Sequence, residues 1–236
     1  MKLIECINLS FSYENNTVVS DVNFSINQGD YVCILGENGS GKSTLVKGIL
    51  NLKRPSTGKI IIDKTLKGNE IGYLPQQKSM KKDFPASVFE VVLSGRLSSM
   101  GLKPFYTKND KAIAMNNIEK LGIGHLKKKS FMELSGGQQQ RVLLARGLCG
   151  TKKVFILDEP VSGLDPLVTT ELYGLVKMIN ETEKVTIIMV THDIPEALNH
   201  ASHVLHLANK QLYYGSTEEY KNSGISKHFI GGYDVV

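Results

Sequence analysis

The sequence predicts an α/β fold with a mainly parallel sheet, an antiparallel β ribbon at its start and a helical insertion in its middle. Three observations lead there. Runs rich in β-branched residues, Val154 to Leu157 and Val185 to Val190, flank a stretch with apolar residues at helical spacing, the alternation that builds a parallel sheet. Tyr31-Val32-Cys33-Ile34-Leu35 is almost continuously apolar, as a strand covered on both faces must be, and runs straight into a glycine-rich turn. From about Gln77 to Gly150 the texture is helical, with no convincing strand.

In chain order, Leu3 to Leu9 and Val18 to Ile26 read as antiparallel strands, the second with only partial alternation. After the glycine-rich turn, Leu45, Ile49 and Leu52 recur at helical spacing until Arg54-Pro55-Ser56-Thr57-Gly58 stops the helix. Strand signals follow at Lys59 to Asp63 and Ile71 to Leu74. Val88/Val91/Val92 and Ala112/Met115/Ile118 mark helices of the insertion, and Ser135 caps a further one carrying Val142, Ala145 and Cys149 on one face. Asp165-Pro166 is a cap and first-turn pair for a helix with Val168, Leu172, Leu175 and Ile179. Val204 to Leu207 and Leu212 to Tyr214 form a hairpin across Asn209-Lys210.

The chain of 236 residues carries 28 Lys and Arg against 23 Asp and Glu, a net charge of +5. That balance suits phosphates. Its clusters, Lys78/Lys81/Lys82 and Lys127-Lys128-Lys129, are too short for a nucleic-acid footprint, and no nucleic-acid partner is expected. No apolar run reaches the roughly 18 to 20 residues of a membrane-spanning helix, and Met1 to Cys6 lacks a signal peptide's apolar stretch, so a cytoplasmic location is expected. Cys6, Cys33 and Cys149 lack pairing or ligand spacing and read as small core residues. His200, His203 and His206 are evenly spaced, but an odd separation along a strand places His203 and His206 on opposite faces, which argues against a metal cluster.

Gly36-Glu37-Asn38-Gly39-Ser40-Gly41-Lys42-Ser43-Thr44 fits G-x-x-x-x-G-K-[ST] between a buried strand and a helix. Glycines let consecutive N–H groups converge on phosphate oxygens, and the helix start adds its positive end. Lys42 supplies a charge for the β and γ phosphates, and Ser43 a hydroxyl for Mg²⁺. Asp158 and Glu159 close the strand Val154 to Leu157, at the end where open α/β sheets bind ligands. Asp158 is thereby a candidate Mg²⁺ holder and Glu159 a candidate acceptor of the attacking water's proton.

Leu134-Ser135-Gly136-Gly137-Gln138, placed between the phosphate loop and these acids, resembles the signature of ATP-binding cassette (ABC) proteins. The family's other motifs appear in order. Tyr13 resembles the aromatic that stacks on adenine, though it is also one of nine tyrosines suited to a strand edge. Gln76 resembles the Q-loop glutamine and a third Mg²⁺ ligand, with Gln77 as a rival. Ser162-Gly163-Leu164-Asp165 resembles the D-loop, and His192 in Thr191-His192-Asp193 the switch histidine. The resemblance implies a P-loop NTPase (RecA-like) core with an N-terminal antiparallel β subdomain and an inserted α-helical subdomain at about 77–150, all one ABC ATPase domain over 1–236.

It further implies two chains sandwiching two ATP molecules head to tail. Ser135, Gly136, Gly137, Gln138 and Asp165 of one copy would then face the partner copy's ATP, with Glu159 and His192 catalytic. Lacking a membrane segment, such a chain works with integral membrane permeases on the cytoplasmic face, and indirectly with an extracytoplasmic solute-binding protein. Val91-Val92-Leu93-Ser94-Gly95-Arg96 and the signature region resemble the ATPases of zinc or manganese importers. Iron-siderophore importers, and ABC ATPases unconnected with transport, are the alternatives.

Overall fold

In the computed structural model, residues 1–14, 16–66, 70–76, 85–101, 103–151 and 153–226 are described. The strands are β1 (Lys2–Tyr13), β2 (Asn16–Asn27), β3 (Tyr31–Leu35), β4 (Thr57–Ile62), β5 (Ile71–Leu74), β6 (Val154–Asp158), β7 (Thr186–Val190), β8 (His203–Leu207) and β9 (Gln211–Ser216). The α-helices are α1 (Lys42–Ile49), α2 (Val88–Ser94), α3 (Leu97–Met100), α4 (Lys108–Lys120), α5 (Gly136–Gly150), α6 (Pro166–Glu183), α7 (Ile194–His200) and α8 (Thr217–Asn222). The chain divides into two compact units, Met1–Leu66 with Lys177–Val236, and Lys67–Val176.

In the first unit β1 pairs antiparallel with β2 on one side and with β4 on the other. The partial alternation of β2 has a physical cause. Asp21 adopts a left-handed backbone (φ 52°), and the buried residues shift from Val19 to Val22, Phe24 and Ile26. Asn8 does the same on β1 (φ 46°), moving burial from Ile4 and Cys6 to Leu9 and Phe11. The ladder between the strands shifts register across these bulges. They are held by side chains: Asn8 N–H donates to Asn23 Oδ1 at 2.8 Å, and Asp21 N–H to Ser10 Oγ at 3.1 Å.

Strand β3 lies between parallel neighbours, β7 (Ile34 beside Val190) and β8 (Leu35 beside His206), and β9 extends β8 antiparallel. All five β3 residues are buried, as the apolar run requires. The helical run expected to continue through Leu52 is cut short. Helix α1 ends at Ile49, and Leu52 lies beyond it, 71% exposed. The stop is Asn51, left-handed at φ 56°, with Leu52 N–H bonded back to Lys47 O at 2.8 Å. This closing turn ends the helix before Arg54-Pro55 is reached.

In the second unit β5 and β6 pair parallel, Leu74 beside Leu157. Capping boxes open three of its helices: Ser87 with Glu90, Thr107 with Asp110, and Ser135 with Gln138. Residues 77–84, at the start of the expected insertion, lie outside the described residues, as do Gln77, Lys78, Lys81 and Lys82. Arg96, in the turn between α2 and α3, ties α4 to α5, donating through Nε to Asp110 Oδ1 at 3.0 Å and through Nη1 to Cys149 O at 2.7 Å. Cys6, Cys33 and Cys149 are buried free thiols, and burial pushes that of Cys6 up to about 12.

Hydrogen bonds from Thr107, then Arg96, hold the Asp110 carboxyl down at about 2. An unfolded chain titrates this group near 4, so its contribution is full above pH about 4 and fades as pH falls toward 2. Asp110→Asn is therefore expected to melt below wild type at pH 7, with the gap closing between pH 4 and 2. Melting curves across that range check this, and a gap independent of pH would refute it.

Candidate functional site

The phosphate loop leaves β3 at Leu35 and enters α1 at Lys42. Its shape depends on glycine at two positions. A Cβ on Gly36 (φ 145°) would come 2.2 Å from Leu207 O, and one on Gly41 (φ 97°) 2.0 Å from Val19 Cγ2. Lys42 is buried and its ammonium donates to Gly36 O at 2.6 Å and Glu37 O at 2.8 Å, curling the loop around a cation. Ser40 Oγ is buried and has no hydrogen-bond partner among the described residues. Helix α1 has no acid in its first turn to offset its positive end. A buried cation, an orphaned hydroxyl and an uncompensated helix start together fit an anion. Glu37, Asn38, Gly39 and Ser43 are exposed, whereas Thr44 is buried.

Tyr13 closes β1 with 44% of its surface exposed, and Lys53 Nζ sits 3.6 Å from the ring centroid. Lys53 was not foreseen. His192 follows β7 at its carboxyl end, the end from which the phosphate loop leaves neighbouring β3. Thr191 N–H donates to Ile34 O at 3.2 Å, and Thr191 Oγ1 accepts Asp193 N–H at 3.0 Å, fixing the turn that carries His192.

In the second unit, Asp158 ends β6 as a buried carboxylate that accepts the Tyr73 hydroxyl at 3.3 Å. Burial, and then the Asp158 charge, push the Tyr73 phenol up to about 12, so Tyr73 remains a donor. Glu159 has a left-handed backbone, φ 49°, which costs a non-glycine residue about 1 kcal/mol or more. Gln76 Nε2 donates to Glu159 Oε2 at 2.6 Å. The pairing of Leu74 with Leu157 explains why residues so distant in sequence meet: both lie two positions beyond the paired ends.

Ser135 Oγ accepts Gln138 N–H at 3.4 Å, and Gln138 Oε1 accepts Ser135 N–H at 3.2 Å. Beside this capped start of α5 opens a cleft of about 230 Å³ lined by Gln138, Arg141 and Glu171. Arg141 pairs with Glu171 and also donates to Leu121 O at 3.4 Å. Asp165 Oδ1 accepts Val168 N–H at 3.0 Å, capping α6. The three evenly spaced histidines have separate partners. His200 Nε2 lies 3.5 Å from Glu196 Oε2, His203 stacks on Tyr214, and buried His206 meets the Tyr220 hydroxyl at 2.8 Å.

Residues 19–162 match the ABC transporter family. The chain is 36% identical over 218 residues to the manganese transport system ATP-binding protein MntB of Bacillus subtilis, covering 91% of this chain and 87% of that protein. It is 35% identical over 215 residues to the zinc transport system ATP-binding protein AdcC of Streptococcus pneumoniae, covering 89% and 92%. Among solved structures, it superposes with TM-score 0.87 and 31% identity on an inward-facing ABC transporter described as of the metal-chelate type, over 98% of this chain and 90% of that one. Among the described residues no helix is long and apolar enough to cross a membrane. With its phosphate loop, strand-end acids and capped Ser135-Gly136-Gly137 helix start, the chain belongs to the ABC transporter family as an ATP-binding, ATP-hydrolysing member.

Proposed function

We propose that this ATPase energises import of a divalent transition metal, zinc or manganese, as a single ABC domain spanning 1–236 with a helical subdomain at about 77–150. One observation carries the cargo: the likeness to ATP-binding proteins of manganese and zinc transport systems extends over 91% and 89% of the chain. The chain acts as a head-to-tail homodimer at the cytoplasmic face of the membrane. Integral permeases carry the metal across, supplied by an extracytoplasmic solute-binding protein.

Tyr13 stacks on adenine with the ring face opposite Lys53. The amides of Gly36 to Thr44, with Lys42, bind the phosphates. Glu159 accepts the proton of the attacking water, its carboxylate oriented by Gln76, and His192 contacts the γ phosphate. Ser135, Gly136, Gly137, Gln138 and Asp165 serve the ATP of the partner copy. The donors present suit Mg²⁺, a hard cation that takes oxygen ligands. Gln76 uses its amide nitrogen on Glu159, so its amide oxygen is what it has to offer a cation, beside the carboxylate of Asp158 and the hydroxyl of Ser43. These three would hold Mg²⁺, which would supply positive charge to the phosphate oxygens.

A strain lacking the gene is expected to lose uptake of radiolabelled zinc or manganese. It should regain uptake with the wild-type chain and not with Glu159→Gln. Undiminished uptake of both metals, or loss confined to an iron complex, would overturn the cargo.

A further inference from the structure

The β8–β9 turn has no part in those roles, yet it bonds the phosphate loop from outside. Asn209, left-handed at φ 59°, donates its backbone N–H to Ser40 O at 3.2 Å. Its side-chain Nδ2 donates to Gly39 O at 3.3 Å and to Val18 O at 3.1 Å. Its own carbonyl accepts Ser20 N–H at 2.8 Å and Ser20 Oγ at 3.3 Å. Two residues earlier, the Leu207 carbonyl occupies the space that a side chain at position 36 would need.

A trans peptide is planar, and its C=O and N–H point in opposite directions. Holding the Gly39 and Ser40 carbonyls therefore fixes two consecutive peptide planes of the cradle. Ser40 N–H is directed back to Glu37 O at 3.2 Å, and Gly41 N–H, in the plane whose carbonyl Asn209 holds, is turned away from the hairpin. We infer that Asn209 is a positioning residue for ATP binding, orienting the amides of the phosphate loop through the carbonyls on their reverse side. The inference rests on the reading that this loop binds the nucleotide phosphates.

Few residues can do this. Asparagine tolerates the left-handed backbone and carries a side-chain donor. Glycine keeps only the backbone conformation, aspartate has the shape without the donor, and alanine has neither. This separates the backbone's part from the side chain's.

The test is steady-state ATP hydrolysis by the full chain with ATP varied, together with calorimetric ATP binding and melting curves, for Asn209→Gly, Asn209→Ala and Asn209→Asp. Losing the side-chain bonds is expected to raise the KM for ATP about three- to tenfold in Asn209→Gly, and about tenfold or more in Asn209→Ala and Asn209→Asp. At saturating ATP, kcat should stay within about twofold of wild type, because the reacting groups are untouched. Asn209→Gly guards against mere misfolding. If it melts lower than wild type while its KM and ATP affinity stay within about twofold, Asn209 is only a turn residue and the inference is overturned. A fall in kcat with KM unchanged overturns it equally. Lys42→Ala is the control: if that variant also binds ATP like wild type, the phosphate-loop reading itself has failed.

Discussion

Glu159→Gln is expected to bind ATP as wild type does and to hydrolyse it about 10²- to 10⁴-fold more slowly, the range set by a lost general base. The change is nearly isosteric. Glutamine still offers an oxygen to the Gln76 amide, which now bonds the carboxylate at 2.6 Å, and demands nothing new of the left-handed backbone at 159. What it loses is the ability to take up a proton. With hydrolysis blocked and binding intact, the ATP-loaded dimer should accumulate, visible as a doubled mass by size-exclusion chromatography with light scattering. Wild-type turnover in this variant would remove Glu159 from the role of base.

The second large effect is expected at Lys42. Its ammonium is buried and bonded to the carbonyls of Gly36 and Glu37. Hydrogen bonds to a charged group contribute about 1.5 to 3 kcal/mol each, so Lys42→Ala should weaken ATP binding by on the order of 10²-fold or more. The melting temperature should also fall, since two loop carbonyls lose their donor. Lys42→Arg should not restore binding, because a planar fork does not replace a compact ammonium cradled by two carbonyls. Calorimetry with ATP reads the affinity directly, and unchanged affinity in Lys42→Ala would refute the assignment.

The parts of the fold legible in the sequence are those whose signal is local. The continuous apolar run of β3, the glycine spacing after it, the acids ending β6 and the Asp165-Pro166 cap each follow from a few adjacent residues, and each lies where expected. What escaped detection depends on distant partners or on single backbone angles. The bulges at Asn8 and Asp21 break the alternation of β1 and β2 through one φ value each. Asn51 stops α1 in the same way, ahead of the more conspicuous proline. Lys53 over Tyr13, Tyr73 on Asp158 and Gln76 on Glu159 are contacts made by pairing of segments, which no short motif encodes.

Asn209 lies 170 residues from the Gly39 carbonyl it holds. Both neighbours of β3, the strand that carries the phosphate loop, come from the last quarter of the chain. A ribosome releasing this protein at about 5 to 20 residues per second thus exposes the loop's glycines long before the residues that shape them. Until β7, β8 and the turn after β8 emerge, β3 has bare edges on both sides and its apolar faces lack their cover. The nucleotide cradle cannot be completed before residue 209 has been made, so a nascent chain should gain affinity for ATP only once β7, β8 and the turn after β8 have left the ribosome.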